Sequence, residues 1–207
     1  MKVLLINGSP REHGCTYTAL KELADTLNAN QVETEILWLG TKPMQDCIAC
    51  EKCGELGHCV FPDLVPQTAA RMEEFDGLVI GSPVYYGGPS GRLCSFLDRL
   101  FYSTDGEKFQ GKLGASVVSC RRGGATASFE RLNQYFLISN MHVVGSQYWN
   151  QVHGFTPDDV RRDAEGRQTM RTLGQNMAFL MKARQAAAEQ GINMPQYEPH
   201  VFTSFSD

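Results

Sequence analysis

A chain of 207 residues, 42% hydrophobic and 20% charged, can bury a full core and lacks the high-charge, low-hydrophobicity signature of disorder. Nineteen basic against 23 acidic residues give a net charge of -4 with no long run of either sign, which argues against a nucleic-acid or anionic-membrane partner. The apolar run over residues 3–6 is too short for a signal-peptide core, and nothing approaches the roughly 18 apolar residues of a membrane span, so a cytoplasmic location is expected.

Lys2–Asn7 (KVLLIN) reads as a buried strand, because it is short, β-branched at Val3 and Ile6, and stopped by Gly8, Ser9 and Pro10. Over residues 16–27 the apolar residues Ala19, Leu20, Leu23, Ala24 and Leu27 recur at helical spacing, with Thr16 as the expected N-cap. A second strand is expected over 31–39, a helix over 64–75 behind an Asp63 cap, and a third strand over 77–82. A helix over 91–102 then puts Leu93, Phe96, Leu97, Leu100 and Phe101 on one face. A strand over 113–119, a helix over 126–139, a fifth strand over 141–147 and a closing helix over 165–189 complete the series. Alternation of strand and helix with short connections predicts an α/β fold, a mostly parallel sheet covered on both faces. The chain length suits one domain over 1–207. Segments 40–62 and 148–157 fit no regular element, and the tail from residue 191 is expected to be irregular but packed, or to reach a partner subunit.

In an open parallel sheet, ligands bind beyond the carboxyl ends of the strands. The loop there after the first strand offers hydroxyls at Ser9 and Thr16, the Arg11 guanidinium and backbone N–H groups at a helix start, which suit a phosphate dianion. It matches neither G-x-G-x-x-G nor G-x-x-x-x-G-K-[ST], which leaves a monophosphate. After the third strand come Pro83, Val84, Tyr85, Tyr86 and Gly87. After the fourth come Ser119, Cys120, Arg121, Arg122, Gly123 and Gly124. A phosphate loop, an aromatic loop and a donor-rich loop at one sheet edge fit a phosphorylated, planar, redox-active ring, for which FMN is the economical candidate.

Asn7-Gly8-Ser9-Pro10-Arg11 with Gly14 and Thr16, then Gly81-Ser82-Pro83-Val84-Tyr85, then Phe96-Leu97-Asp98-Arg99, and finally Arg122-Gly123-Gly124 follow in the order seen in one family. On these segments, spanning about the first three fifths of the chain, the sequence resembles the flavodoxin-fold NADPH-dependent FMN reductase superfamily, in particular its iron-sulfur flavoprotein branch. The resemblance implies a doubly wound five-stranded parallel sheet in the order 2-1-3-4-5, with a cysteine-rich insertion after the second strand. It implies that Ser9, Arg11 and Thr16 hold the FMN phosphate, that Pro83, Val84, Tyr85, Tyr86 and Gly87 flank the ring, and that Ser119, Arg122, Gly123 and Gly124 face its pyrimidine edge. Cys15 stands where the family often has Asn, so that position is expected to offer FMN a backbone N–H. Cys94 stands where the family often has Lys.

Cys47-x2-Cys50-x2-Cys53-x5-Cys59 is the sharpest local pattern, because thiolates three residues apart can curl round one cubane and a fourth can close it. The resemblance points the same way, to a [4Fe-4S] cluster. Two alternatives stay open: a zinc site that recruits His58, and reduced thiols in a loop that shapes the flavin pocket or a subunit contact. Cys15, Cys94 and Cys120 read as small core or loop residues, with a lowered thiol pKa at Cys120, beside Arg121 and Arg122, as the alternative. Trp149, Asn150 and His153 are expected to pack their loop, Asp98 and Arg99 to form a structural ion pair, and His13, His142 and His200 to carry no role.

The expected function is therefore an FMN-dependent oxidoreductase that takes electrons from NAD(P)H and passes them to a small acceptor or a redox protein, by way of the cluster if one is present. The alternatives are a non-enzymatic flavodoxin-type electron carrier and a zinc-binding module. A homodimer or homotetramer would shield a ring bound at an open sheet edge.

Overall fold

The computed structural model describes residues 1–104 and 106–205. Its elements in chain order are β1 (Lys2–Asn7), α1 (Cys15–Ala29), β2 (Glu33–Trp38), α2 (Cys53–Leu56), α3 (Leu64–Arg71), β3 (Gly77–Tyr85), β4 (Gly88–Pro89), α4 (Gly91–Ser103), β5 (Leu113–Cys120), α5 (Ala125–Ile138), β6 (His142–Val143), β7 (Gln151–His153), α6 (Pro157–Arg162) and α7 (Ala164–Glu189). Strands run in the order β2-β1-β3-β5-β6, all pairs parallel; β4 folds back antiparallel on β3, and β7 pairs with β5. Once the two-residue β4 is set aside, this is the expected order of five.

The sheet separates two cores, and the alternation of each strand decides which side chain enters which. Leu4 and Ile6 of β1, with Leu78 and Ile80 of β3, pack among α3, α4 and α5. Val3, Leu5 and Val79 pack among α1, α6 and α7. Burial on both faces is what a parallel strand requires, and each such side chain contributes roughly 1.5–3 kcal/mol on leaving water.

Three expectations need correction. The fifth strand does not run over 141–147: it survives as β6, paired with Leu113 and Gly114, and as β7, paired with Val118 to Cys120. Between them the chain comes to the surface over 145–149, pinned at each end to β5 where Val144 N donates to the Gly114 carbonyl at 2.8 Å and the Asn150 carbonyl accepts from Val118 N at 3.0 Å, while the Ser146 hydroxyl donates to Asn150 Oδ1 at 2.7 Å. β3 runs three residues further than expected, because its end pairs with β4. The tail from 191 is irregular and packs less than expected: Met194 lies against Gly111, but Val201, Phe202 and Phe205 are exposed. The last two residues lie outside the described ones.

Edge strand β2 carries Glu35, which the Arg71 guanidinium grips with both ends at 2.7 and 2.8 Å while Lys2 Nζ approaches to 3.1 Å. The bonds from Arg71 hold the Glu35 carboxyl down at about 2. A depressed carboxyl stabilises the fold above its unfolded pKa, and that contribution disappears as pH falls toward the folded value. Glu35→Gln should therefore cost about 1 kcal/mol near neutrality, after allowance for partial exposure, and flatten the loss of stability between about pH 4.5 and 2, read by urea unfolding at a series of pH values.

Candidate functional site

The loop after β1 is clamped from three strands. Buried Asn7 accepts from Ser9 N at 3.1 Å and donates through Nδ2 to the Glu12 carbonyl at 2.9 Å. Gly8 N donates to the Gly81 carbonyl of β3 at 2.9 Å, Ser90 Oγ donates to the Gly8 carbonyl at 2.8 Å, and Trp38 Nε1 of β2 donates to the Ser9 carbonyl at 2.8 Å. The sequence assigns no role to Asn7, Trp38 or Ser90; the signal that could have found them is a polar residue at a strand end or helix start. Gly8 is required by close approach, since a Cβ there would stand 2.8 Å from Leu93 and 3.0 Å from the Gly81 carbonyl.

Helix α1 begins at Cys15, so Thr16 is inside the helix and is not its cap. The N-cap is Gly14, which offers no side-chain acceptor. The Thr16 hydroxyl is buried against Ser119 Oγ at 2.8 Å, which ties α1 to the end of β5, and Ser9 Oγ accepts from Arg11 N at 3.1 Å. The Ser9 and Thr16 hydroxyls therefore already have partners within the protein. The Arg11 guanidinium is exposed, and the N–H groups of Cys15, Thr16 and Tyr17 have no partner within the helix.

The aromatic loop is a two-residue hairpin. Tyr86 and Gly87 both have positive φ, 51° and 78°, as a turn matched to the strand twist requires. The turn projects Tyr86 fully into solvent and leaves Tyr85 exposed beside it, while Pro83 lies opposite Ser119 across the sheet. After β5, Arg121, Arg122 and Gly123 are exposed, and α5 starts behind Gly124, whose φ is 89°. A Cβ on Gly124 would fall 2.8 Å from Gly87 Cα and 2.9 Å from Val84 Cγ1. The hairpin and the 121–124 loop thus pack backbone to backbone.

The helix caps share a pattern. Among the described helices of eight residues or more, α3, α4 and α7 are capped by the side chains of Asp63, Ser90 and Asp163. The other two, α1 and α5, start behind glycines with no side-chain cap. Both leave first-turn N–H groups and a positive helix end directed at the same sheet edge.

The thiols near this edge are quiet. Burial pushes both Cys15 and Cys120 upward, which overturns the lowered Cys120 pKa considered from its arginine neighbours. Cys15 Sγ donates to the Gly154 carbonyl at 3.7 Å, and Cys120 Sγ lies 3.8 Å from His153 Nδ1. Of the three residues expected to pack the loop after β6, Asn150 does so; His153 is exposed, and Trp149, edge-on to Tyr148 at 4.8 Å, is 48% exposed.

Cys47, Cys50, Cys53 and Cys59 are free thiols that line one cleft together with Phe61 and Arg99. Among the described residues no three Cys, His, Asp or Glu side chains are drawn together as a metal-holding group. The thiols nonetheless suit an iron-sulfur cluster by donor chemistry and by their shared cleft, and His58 Nδ1 is engaged by the Cys59 carbonyl at 2.9 Å. Helix α4 fastens this segment at two points. Arg92 donates to the carbonyls of Gly40 and Thr41. Arg99 does not pair with Asp98, which instead accepts from the Tyr135 hydroxyl and lies 3.6 Å from Arg131. Buried Arg99 forks onto Asp63 at 2.6 and 2.9 Å and donates from Nε to Cys59 Sγ at 3.2 Å.

Residues 1–156 match the family model for NADPH-dependent FMN reductase. The chain is 35% identical over 189 residues to an iron-sulfur flavoprotein of Methanocaldococcus jannaschii, covering 88% of this chain and 98% of that one. Its fold resembles that of RosB with its bound intermediate 8-demethyl-8-formylriboflavin-5'-phosphate, with TM-score 0.70, 15% identity, and 100% and 93% of the two chains covered. It also resembles a flavodoxin from the domain Archaea, with TM-score 0.58, 14% identity, and 88% and 99% covered. Among the described residues no helix is long and apolar enough to cross a membrane.

Gly124→Ala should destabilise the protein by about 1–3 kcal/mol, since it combines a left-handed φ with a clash against Gly87. Gly123→Ala, with open space around it, should stay within about 0.5 kcal/mol of wild type. Parallel denaturant melts of the two variants check the contrast.

Proposed function

The chain belongs to the NADPH-dependent FMN reductase family, and from that premise we propose that it holds FMN at the carboxyl edge of the sheet and oxidises NAD(P)H to reduce a small acceptor or a redox protein. The observation that carries this reading is that α1 and α5, alone among the described long helices, lack side-chain caps and open onto one edge. Bound FMN would supply the redox chemistry, accepting a hydride equivalent from NAD(P)H and releasing electrons to the acceptor.

The chain's own groups have separable tasks. The N–H groups of Cys15, Thr16 and Tyr17, with the Arg11 guanidinium, bind the phosphate. Ser9 and Thr16 act indirectly, by shaping the loop and fixing α1 to β5 through Ser119. The Tyr86–Gly87 hairpin and the Gly123–Gly124 backbone hold the ring from two sides. Arg122 and the positive end of α5 stabilise negative charge at the ring's pyrimidine edge, an electrostatic role that needs no protein acid or base. Cys47, Cys50, Cys53 and Cys59 would ligate a [4Fe-4S] cluster, the class of group named in the closely matching relative.

The test is titration of the flavin-free protein with FMN and with riboflavin, which lacks the phosphate. FMN should bind at least about 100-fold more tightly, and Arg11→Ala should remove roughly 10- to 100-fold of that preference, the range of a charge-assisted hydrogen bond. The FMN-loaded protein should oxidise NAD(P)H without any partner protein. Equal affinity for the two flavins would defeat the phosphate assignment, and no NAD(P)H oxidation would leave an electron carrier. Iron and acid-labile sulfide near four per chain in protein purified without oxygen would support the cluster.

A further inference from the structure

We propose that Arg99 is a positioning residue for the cysteine cluster, holding Cys59 as a preset ligand and raising the cluster's reduction potential through its N–H···S bond. This deepens the cluster reading above and rests on it.

The evidence is geometric. Among the described residues Arg99 is the largest side chain that is fully buried, at 1% exposure, and a buried guanidinium is retained only when its donors are satisfied. Each face of its fork is used. Both terminal nitrogens meet the Asp63 carboxylate, Nη1 also reaches the Gln45 carbonyl at 3.1 Å, and Nε reaches Cys59 Sγ at 3.2 Å. The ring of Phe61 lies under the guanidinium at 4.8 Å. Asp63 is itself fixed, because its Oδ1 accepts from Val65 N at 3.0 Å as the cap of α3. A bidentate pair locked to a helix cap leaves Nε one direction to point, and that direction is Cys59.

The four cysteines are not equivalent in this arrangement. Cys47 and Cys50 are exposed, and Cys59 is partly buried with its sulfur held from the core. A donor on a ligating sulfur withdraws charge from it, which favours the reduced, more negative cluster, and hydrogen bonds to sulfur are among the determinants of cluster potential. Lysine could not substitute, since an ammonium cannot fork onto Asp63 and still present a fixed N–H to the sulfur.

The experiment compares wild type, Arg99→Met and Arg99→Lys, purified without oxygen, by redox titration of the cluster's electron paramagnetic resonance signal, with flavin content and melting temperature as controls. The inference predicts a lower cluster potential in Arg99→Met and a smaller downward shift in Arg99→Lys, with flavin content unchanged. If Arg99→Met fails to fold, Arg99→Lys carries the same prediction. A second readout needs no cluster: in metal-free wild type Cys59 should be alkylated more slowly than Cys47 and Cys50, and Arg99→Lys should narrow the gap. A cluster present in wild type with the same potential in the variants overturns this inference and leaves the cluster reading standing. Wild type without iron and sulfide overturns both.

Discussion

An α-helix leaves its first N–H groups without partners, and a folded protein must answer them with a side chain, water or a ligand. In this chain three of the described long helices, α3, α4 and α7, are answered by Asp63, Ser90 and Asp163. The two that begin at the carboxyl edge of β1 and β5 are not, and their glycine N-caps admit no acceptor of their own. The parallel sheet makes this arrangement unavoidable, because every crossover delivers a helix start to the same edge. What the sequence adds is the choice to leave two of those starts uncapped and to surround them with a basic side chain, a tyrosine hairpin and close-packed glycines.

Helix α4 joins this edge to the cysteine segment. At its start Ser90 closes onto Gly8 and its backbone N–H donates to Ser82 Oγ at 3.0 Å, so the first turn belongs to the loops of the candidate site. Two turns on, Arg99 reaches Asp63 and Cys59. Between them Arg92 holds Gly40 and Thr41 at the start of the cysteine-rich stretch. One thirteen-residue helix therefore ties the loops of the candidate site to the cysteine segment. The cysteine segment itself is nearly devoid of regular structure, with only the four-residue α2, and depends on these side-chain ties.

Most of the architecture was legible in the sequence because its signals are local. The runs KVLLIN and LGASVV are apolar on both faces, and the turn residues that end them are unambiguous. The interrupted fifth strand was not legible: MHVVGSQ has strand composition, but the register is decided by distant β5, which pairs with residues 142–143 and again with 151–153. Local roles near the candidate site were legible only in part. Thr16 reads as a cap from its place before an apolar stripe, yet the helix starts one residue earlier and the hydroxyl is taken by Ser119, 103 positions away. Likewise, adjacent opposite charges at Asp98 and Arg99 invite pairing, but neighbours on a helix point in different directions, and the partner of Arg99 lies 36 positions back.

Placement of FMN at the uncapped starts of α1 and α5 is open to direct test, because amide chemical shifts report those N–H groups individually. A titration of the 15N-labelled, flavin-free protein with FMN should move the amides of Cys15, Thr16 and Tyr17 and of Ala125, Thr126 and Ala127 most, while the capped starts of α3 and α7 stay in place. Shifts concentrated at those capped helices, or an absence of shifts in the first turns of α1 and α5 under saturating FMN, would contradict it.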